Sequence, residues 1–147
     1  MTKIGNGSAA FGSGSFSKTA GQIVIVHKVL VLQARGGISA SALTVTPIFS
    51  APSKVSGYLE GVVFLTATAA LGGTPAGVKF YVQVADYLGN FYDHPAWTGG
   101  AAITPVATTG IAFAGLITNF GAMIRIGIAA STAWTSGTLA LSYEVKS

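Results

Sequence analysis

Apolar and polar residues alternate along much of this chain with the two-residue period of a β-strand. The alternation is clearest over residues 78–86, where one face is apolar: Val78, Phe80, Val82 and Val84. It recurs over residues 122–129, where the isoleucines face inward and Met123 and Arg125 face outward, and again over residues 138–145. These three segments are predicted to be antiparallel strands.

Two further runs, residues 22–33 and 58–68, are apolar on both faces, as strands are when protein covers both sides. Weaker strands are predicted at residues 43–49, 91–92, 102–107 and 111–117. Turn residues separate these runs at 35–37, 52–54, 71–77 and 88–90. No segment has the 3.6-residue apolar period of a helix. The expected fold is all-β: an antiparallel β-sandwich, jelly-roll-like, in which two sheets cover each other.

Residues 1–21 differ from the rest, because they are rich in glycine and serine and too poor in apolar groups to order themselves. We predict a flexible N-terminal arm at 1–21 and a single β-sandwich domain at 22–147. Phe11 and Phe16 interrupt the arm. They either belong to an incidental linker or dock onto a neighbouring subunit. In the second interpretation the subunit or shell contacts are these residues: Phe11, Phe16, Ile23, Ile25 and Val29.

Charge is scarce: only 8% of the 147 residues are charged, against about 25% in a typical soluble domain. The net charge of +4 arises because acids are few, and the basic residues are scattered singly, so nucleic acid is not an expected partner. A free monomer of this size usually carries more charge. The composition therefore indicates surface that is buried in an assembly.

Membrane insertion and secretion are not expected. Residues 95–124 carry no charge, but glycine, proline and threonine interrupt them too often for a spanning helix. The N-terminal region lacks the apolar core of a signal peptide. The chain contains no cysteine, so disulfides and thiolate metal sites contribute nothing.

Residues that could carry out catalysis are almost absent. His27 and His94 cannot form a three-ligand zinc site without carboxylates, which are rare here. A triad of Asp93, His94 and a serine is conceivable, but the Gly-x-Ser-x-Gly elbow is missing. The chain is therefore not expected to be an enzyme, and no catalytic residue, cofactor or metal is predicted.

One aromatic group stands out in a turn-rich region: Tyr87, Phe91, Tyr92 and Trp97. It could form a platform on which a sugar ring stacks. The simpler interpretation is a loop folded over one end of the sandwich.

Several short motifs resemble those of small decoration-type virion proteins of tailed bacteriophages. They are the strand Gly-Val-Val-Phe-Leu-Thr-Ala-Thr at 61–68, the Gly-Gly-Thr-Pro turn at 72–75, Gln-x-x-Asp at 83–86 and Gly-Asn-Phe-Tyr-Asp at 89–93. The closing Arg-bearing strand at 123–126 and the strand after it fit the same pattern. The match covers about two-thirds of the chain, omits residues 1–40, and carries no catalytic residue over.

The resemblance implies a small β-sandwich protein repeated on a virus shell. The expected function is to decorate or cement a phage capsid as a symmetric homo-oligomer, a trimer, with the major capsid protein as its partner. It would act in the virion, after assembly in the host cytoplasm. One alternative is a carbohydrate- or receptor-binding module that uses the aromatic group above. Another is a coat protein, which is disfavoured because capsid-forming chains are usually longer.

Overall fold

The structure is a computed structural model and describes residues 8–11, 14–19, 22–26, 29–104, 106 and 109–147. Side chains are described at 30, 34–104, 106, 109, 110 and 113–147. The strands in chain order are β1 (Ser8–Phe11), β2 (Gly14–Thr19), β3 (Gln22–Val26), β4 (Val29–Ser39), β5 (Ile48–Phe49), β6 (Ser53–Lys54), β7 (Glu60–Gly72), β8 (Lys79–Ala85), β9 (Phe91–Asp93), β10 (Ala101–Ala102), β11 (Gly110–Thr118), β12 (Met123–Ala129) and β13 (Ser136–Lys146). The helical segments within these residues are two short 3₁₀ turns, Ala40–Ala42 and Pro95–Trp97. The all-β prediction is confirmed.

Strands β1, β2 and β3 form a small antiparallel sheet of their own, in the order β1-β2-β3. The run at 22–33, predicted as one strand, is therefore divided between β3 and β4, and residues 27–28 between them lie outside the described residues. The separation of an arm at 1–21 from a domain at 22–147 stays a prediction.

The remaining strands form two antiparallel sheets that follow the strand order of a jelly roll. One has the order β11-β7-β13-β4. The other has the order β10-β8-β12-β5, with β6 also on β12 and β9 also on β8. β5 and β6 can be counted as one interrupted strand, and so can β9 and β10. The two sheets then contain eight strands in total. The first pairs with the eighth, the second with the seventh, the third with the sixth and the fourth with the fifth. This is a long hairpin ribbon rolled into two facing sheets, as predicted.

The hydrophobic core lies between these two sheets. Alternate residues of β7 and β13 point into it from the four-stranded sheet, and alternate residues of β8 and β12 from the six-stranded sheet. Phe80 of the six-stranded sheet lies 5.3 Å from Phe113 of the four-stranded sheet, centroid to centroid. Trp97 packs against both rings, at 5.8 and 5.9 Å. The inward faces predicted for residues 78–86, 122–129 and 138–145 are confirmed.

Four sequence predictions about strand limits are wrong. Among its described residues, the predicted strand at 102–107 is a strand only at Ala102, the last residue of β10, and the predicted turn at 52–54 contains β6. Only Ile48–Phe49 of the predicted strand at 43–49 pairs with β12, because a 3₁₀ turn precedes it and Pro47 has no N–H for a ladder bond. The fourth error concerns residues 35–37, predicted as a turn. β4 continues through them because two register shifts against β13, with Gly37 at φ 64°, absorb the irregularity.

Candidate functional site

The outward side of the four-stranded sheet is apolar over a contiguous area. We call it the outer apolar face: Val62, Phe64, Ala114 and Leu116. The ladder places Leu116 beside Val62 and Ala114 beside Phe64, while their sequence neighbours Val63 and Leu65 point into the core. The side chain of Leu116 is 78% exposed. A soluble sheet usually carries polar residues on such a face.

Charges on this sheet gather at one end of the outer apolar face. Lys146 Nζ lies 3.0 Å from Glu60 Oε1, the one ion pair within the described part of the chain. Both side chains are more than half exposed, so the pair contributes little to stability. Together with Glu144 they border a shallow groove whose floor includes Val62 and Leu116.

The outward side of the six-stranded sheet holds a different arrangement, which we call the arginine stack: Arg125, Phe49 and Phe91. The guanidinium carbon of Arg125 lies 4.5 Å from the ring centroid of Phe49 and 4.4 Å from that of Phe91. Arg35 Nη1 donates a 2.5 Å hydrogen bond to the carbonyl oxygen of Phe49 and so fixes β5 at this edge. Two cation–π contacts hold the side chain of Arg125 in one orientation.

Hydrogen bonds extend from the arginine stack across the sheet. Arg125 Nε donates to Gln83 Oε1 at 2.8 Å, and Gln83 Nε2 donates to Asp93 Oδ1 at 2.8 Å. Asp93 Oδ2 accepts from the backbone N–H of Gly99 at 2.9 Å. This chain of bonds ties β12, β8, β9 and the loop after it into one rigid surface.

The two-residue period predicts Arg125 on the outward side of its strand, which is confirmed, but the period does not reveal the stack. Phe49 comes from β5, on the opposite side of β12 from β8, and only the strand order brings it to Arg125. The nearest signal in the sequence was the aromatic group that includes Phe91.

The four members of that aromatic group are divided in the structure. Tyr87 is 94% exposed in the turn between β8 and β9, and Tyr92 is 58% exposed. Phe91 is half-buried against Arg125. Trp97 is buried between Phe80 and Phe113. A stacking role for these residues stays a prediction, with Tyr87 and Tyr92 the members that solvent reaches most freely.

The turn that displays Tyr87 is organised by Asp86. Its Oδ1 accepts from the backbone N–H of Leu88 at 2.8 Å and of Asn90 at 2.9 Å, and its Oδ2 accepts from Asn90 Nδ2 at 3.1 Å. These bonds, with the one from the Asn90 backbone foremost, hold the pKa of Asp86 below its ordinary value of 3.8.

His94 connects the β9 loop to the end of β11. Its Nδ1 accepts a 3.2 Å hydrogen bond from the Ala96 N–H, and its Nε2 lies 2.5 Å from the Thr118 carbonyl oxygen. Both contacts fit the tautomer with the proton on Nε2, which then donates to Thr118. The carboxylate of Asp93 accepts hydrogen bonds from Gln83 and Gly99 and none from His94. His94 therefore connects two segments of the fold.

Several residues singled out from the sequence lie outside the part of the chain whose side chains are described. The side chains of Phe11, Phe16, Ile23, Ile25 and Val29 lie outside the described set, so their role as contacts stays a prediction. His27 lies outside the described residues altogether. Within the described residues, no three histidine or acidic side chains cluster as metal ligands would. The same residues include no helix with the length and apolarity needed to cross a membrane.

No protein-family model matches the chain, and no curated protein matches it. Similar solved structures include the infectious bursal disease virus VP2 subviral particle, with TM-score 0.49 and 11% identity over 94% of this chain and 36% of the viral one. This chain spans 36–40% of the length of that protein and of its counterpart from the Gx strain.

Two shorter proteins are also similar. The SPBc2 prophage-derived protein YomS has TM-score 0.38 and 9% identity over 86% of this chain and 99% of its own. The CBM22-1 xylan-binding domain of Paenibacillus barcinonensis Xyn10C has TM-score 0.33 and 15% identity, covering 95% of this chain and 84% of that one. At such identities the likeness concerns the fold alone and assigns no activity.

Proposed function

We propose that this protein is a structural component of a tailed-phage virion, which decorates or cements the capsid as a symmetric oligomer, a trimer. The observation that carries the proposal is the outer apolar face on a rigid jelly roll. Fully burying a side chain such as Leu116 or Phe64 contributes about 1.5–3 kcal/mol, so this face favours association with a second copy. The scarcity of charge along the chain and the resemblance of its motifs to small phage virion proteins support the same conclusion.

The arm at residues 1–21 would supply a second contact in this proposal. Burying the rings of Phe11 and Phe16 on a neighbour contributes about 1.5–3 kcal/mol each. Ordering each backbone residue costs about 1–2 kcal/mol, so the two rings alone cannot order the segment. Backbone hydrogen bonds would have to supply the rest: β1, β2 and β3 pair with one another, and in this proposal an outer strand of their sheet also pairs with a sheet edge of the neighbour. Deleting residues 1–20 should leave the sandwich folded and weaken the oligomer or its attachment to the major capsid protein.

Two leucines make a matched test of the outer apolar face. Leu116 is 78% exposed on it, and Leu88 is 69% exposed in the β8–β9 turn, away from it. Each is changed to lysine, and the mass in solution is measured by multi-angle light scattering at micromolar concentration. Leu116→Lys should dissociate the oligomer, and Leu88→Lys should leave it intact. A monomeric, non-aggregating wild-type protein would contradict the oligomer outright.

The virion assignment needs its own measurement, because an oligomer alone does not place a protein on a shell. Quantitative mass spectrometry of particles from a phage that encodes this chain gives its copy number relative to the major capsid protein. Hundreds of copies per particle support decoration of the shell. A few copies indicate a tip protein that binds a receptor, and complete absence from the particles refutes the proposal.

A further inference from the structure

The arginine stack has a cation with no counter-ion. No carboxylate lies within ion-pair distance of Arg125 in the described part of the chain, where the single pair is Lys146 with Glu60. Its Nε is engaged by Gln83, while no described oxygen accepts a hydrogen bond from its two terminal nitrogens. Both terminal nitrogens reach solvent, since neither is a buried polar atom without a partner. Two rings hold this guanidinium in place, so its terminal N–H groups can bind an oxyanion with two parallel hydrogen bonds.

The surroundings make this side of the molecule positive. Lys54 lies opposite Met123, one step along β12 from Arg125 on the same face, and Lys79 lies opposite Ala129 at the other end of that strand. The carboxylates of Asp93 and of Asp86 in the β8–β9 turn offset part of this positive charge. The three cations Arg125, Lys54 and Lys79 outnumber them, so an anion that approaches Arg125 meets a net attraction.

Half-buried aromatic rings surround Arg125 on this face: Phe49 and Phe91 contact its guanidinium, and Tyr81 lies opposite Gly127, the next residue of β12 on the same face. Tyr81 packs edge-on against Phe49, with ring centroids 6.1 Å apart, and its hydroxyl makes no hydrogen bond within the described residues. Gly100 closes the far side, since a Cβ there would lie 2.8 Å from Tyr81 Cζ. The rings stand on paired strands, which makes their positions rigid.

We propose that this surface binds an acidic saccharide, a sugar that carries a carboxylate, with the carboxylate on the terminal nitrogens of Arg125. The C–H face of the sugar ring lies on Tyr81 beside Phe49, since the guanidinium already covers a face of Phe49 and of Phe91, and the Tyr81 hydroxyl bonds to a ring hydroxyl. Inorganic phosphate offers the same oxyanion but no ring to stack. A neutral sugar offers the ring but no carboxylate. This inference does not depend on the virion assignment.

The test uses the full-length protein and three probes: a galacturonic acid trisaccharide, its methyl ester and inorganic phosphate. Titration is followed by ¹H–¹⁵N spectra, in which the side-chain signals of Gln83 and Arg125 report on the site. The acid should shift these signals in the wild-type protein, and the ester and phosphate should bind at least about tenfold more weakly, since each lacks one of the two contacts.

Three variants separate the site from general electrostatics. Arg125→Lys keeps the charge but loses the planar fork and its stacking between the rings, and should weaken binding of the acid about tenfold or more. Lys146→Gln removes one charge from the opposite sheet and should change the affinity less than about twofold at moderate salt. Tyr81→Phe removes one hydroxyl without disturbing the stack and gives a smaller loss, which keeps the test valid if Arg125→Lys unfolds.

Three results would overturn the inference. The first is equal binding of the acid and its ester, and the second is competition by phosphate as strong as that by the trisaccharide. The third is an absence of shifts at Gln83 and Arg125 at millimolar acid.

Discussion

Replacing Tyr143 by phenylalanine should stabilise this protein, although most substitutions in a core destabilise it. The side chain is 1% exposed on the inward face of β13, and its buried hydroxyl has no hydrogen-bond partner among the described residues. Leaving a buried hydroxyl unsatisfied costs about 1–3 kcal/mol. Removing the oxygen recovers that penalty and loses a few dispersion contacts, so the free energy of unfolding should rise by about 1 kcal/mol. For a domain of this length, that corresponds to about 2–4 °C in melting temperature.

The same group predicts a pH dependence. Burial raises the pKa of the Tyr143 phenol above its ordinary value of 10.0, and the neighbouring Ser53 opposes this only in part. Above pH 10 the unfolded chain loses this proton before the folded one does, so wild-type stability falls as the pH rises. Tyr143→Phe lacks this contribution, so its advantage should be constant below pH 10 and grow above it.

Urea unfolding at pH 7 and pH 10.5 measures both effects. Tyr92→Phe is the matched control, because that residue is 58% exposed and removing its hydroxyl relieves no buried polar group. It should change the free energy of unfolding by less than about 0.5 kcal/mol. A loss of about 1 kcal/mol or more in Tyr143→Phe, matched by a similar loss in Ser53→Ala, would show that the two hydroxyls are bonded and would refute the reasoning.

Two further predictions concern local packing and a turn. Gly115→Ala places a methyl group 2.4 Å from Trp97 Cη2 and should lower the free energy of unfolding by about 1–3 kcal/mol in thermal or urea unfolding. Ala102→Ser, at an exposed position of β10, should be nearly neutral. The pKa of the Asp86 carboxyl, measured by NMR, should lie below its ordinary value of 3.8. The turn that this carboxylate holds should be ordered above the folded-state pKa and should loosen as the pH falls below it. In Asp86→Asn, the amide signals of Leu88 and Asn90 should show the loosened turn already at neutral pH.

The strands with a regular two-residue period could be located from the sequence because each carries its own pattern of burial. Residues 78–86 and 122–129 match β8 and β12 to within one residue at each end. The same pattern misled at residues 43–49, where Leu43 is buried, Val45 is exposed and no strand begins before Ile48. A period of two over a few residues does not distinguish a strand from an irregular segment that lies against a core.

The two outward faces could be predicted only in part. Val62 and Phe64 stood out as the second apolar side of their strand, but their position beside Leu116 depends on which strand pairs with β7. The arginine stack depends even more on strand order, since Phe49 and Phe91 lie on opposite sides of the β12–β8 pair. Nothing local in a sequence of this kind encodes pairing between strands that are far apart in the chain.

The rolled ribbon also affects how the protein can be made in a cell. The first strand of the sandwich, β4, finds its partner in β13, and β5 and β6 find theirs in β12. During translation these early strands leave the ribosome long before their partners exist. Their apolar residues stay exposed until then. The chain has few charges whose repulsion would oppose aggregation with other nascent chains. β7 with β11 and β8 with β9 can pair earlier, but neither sheet is complete until β12 and β13 have emerged. An early stop in synthesis therefore leaves a fragment that cannot close either sheet.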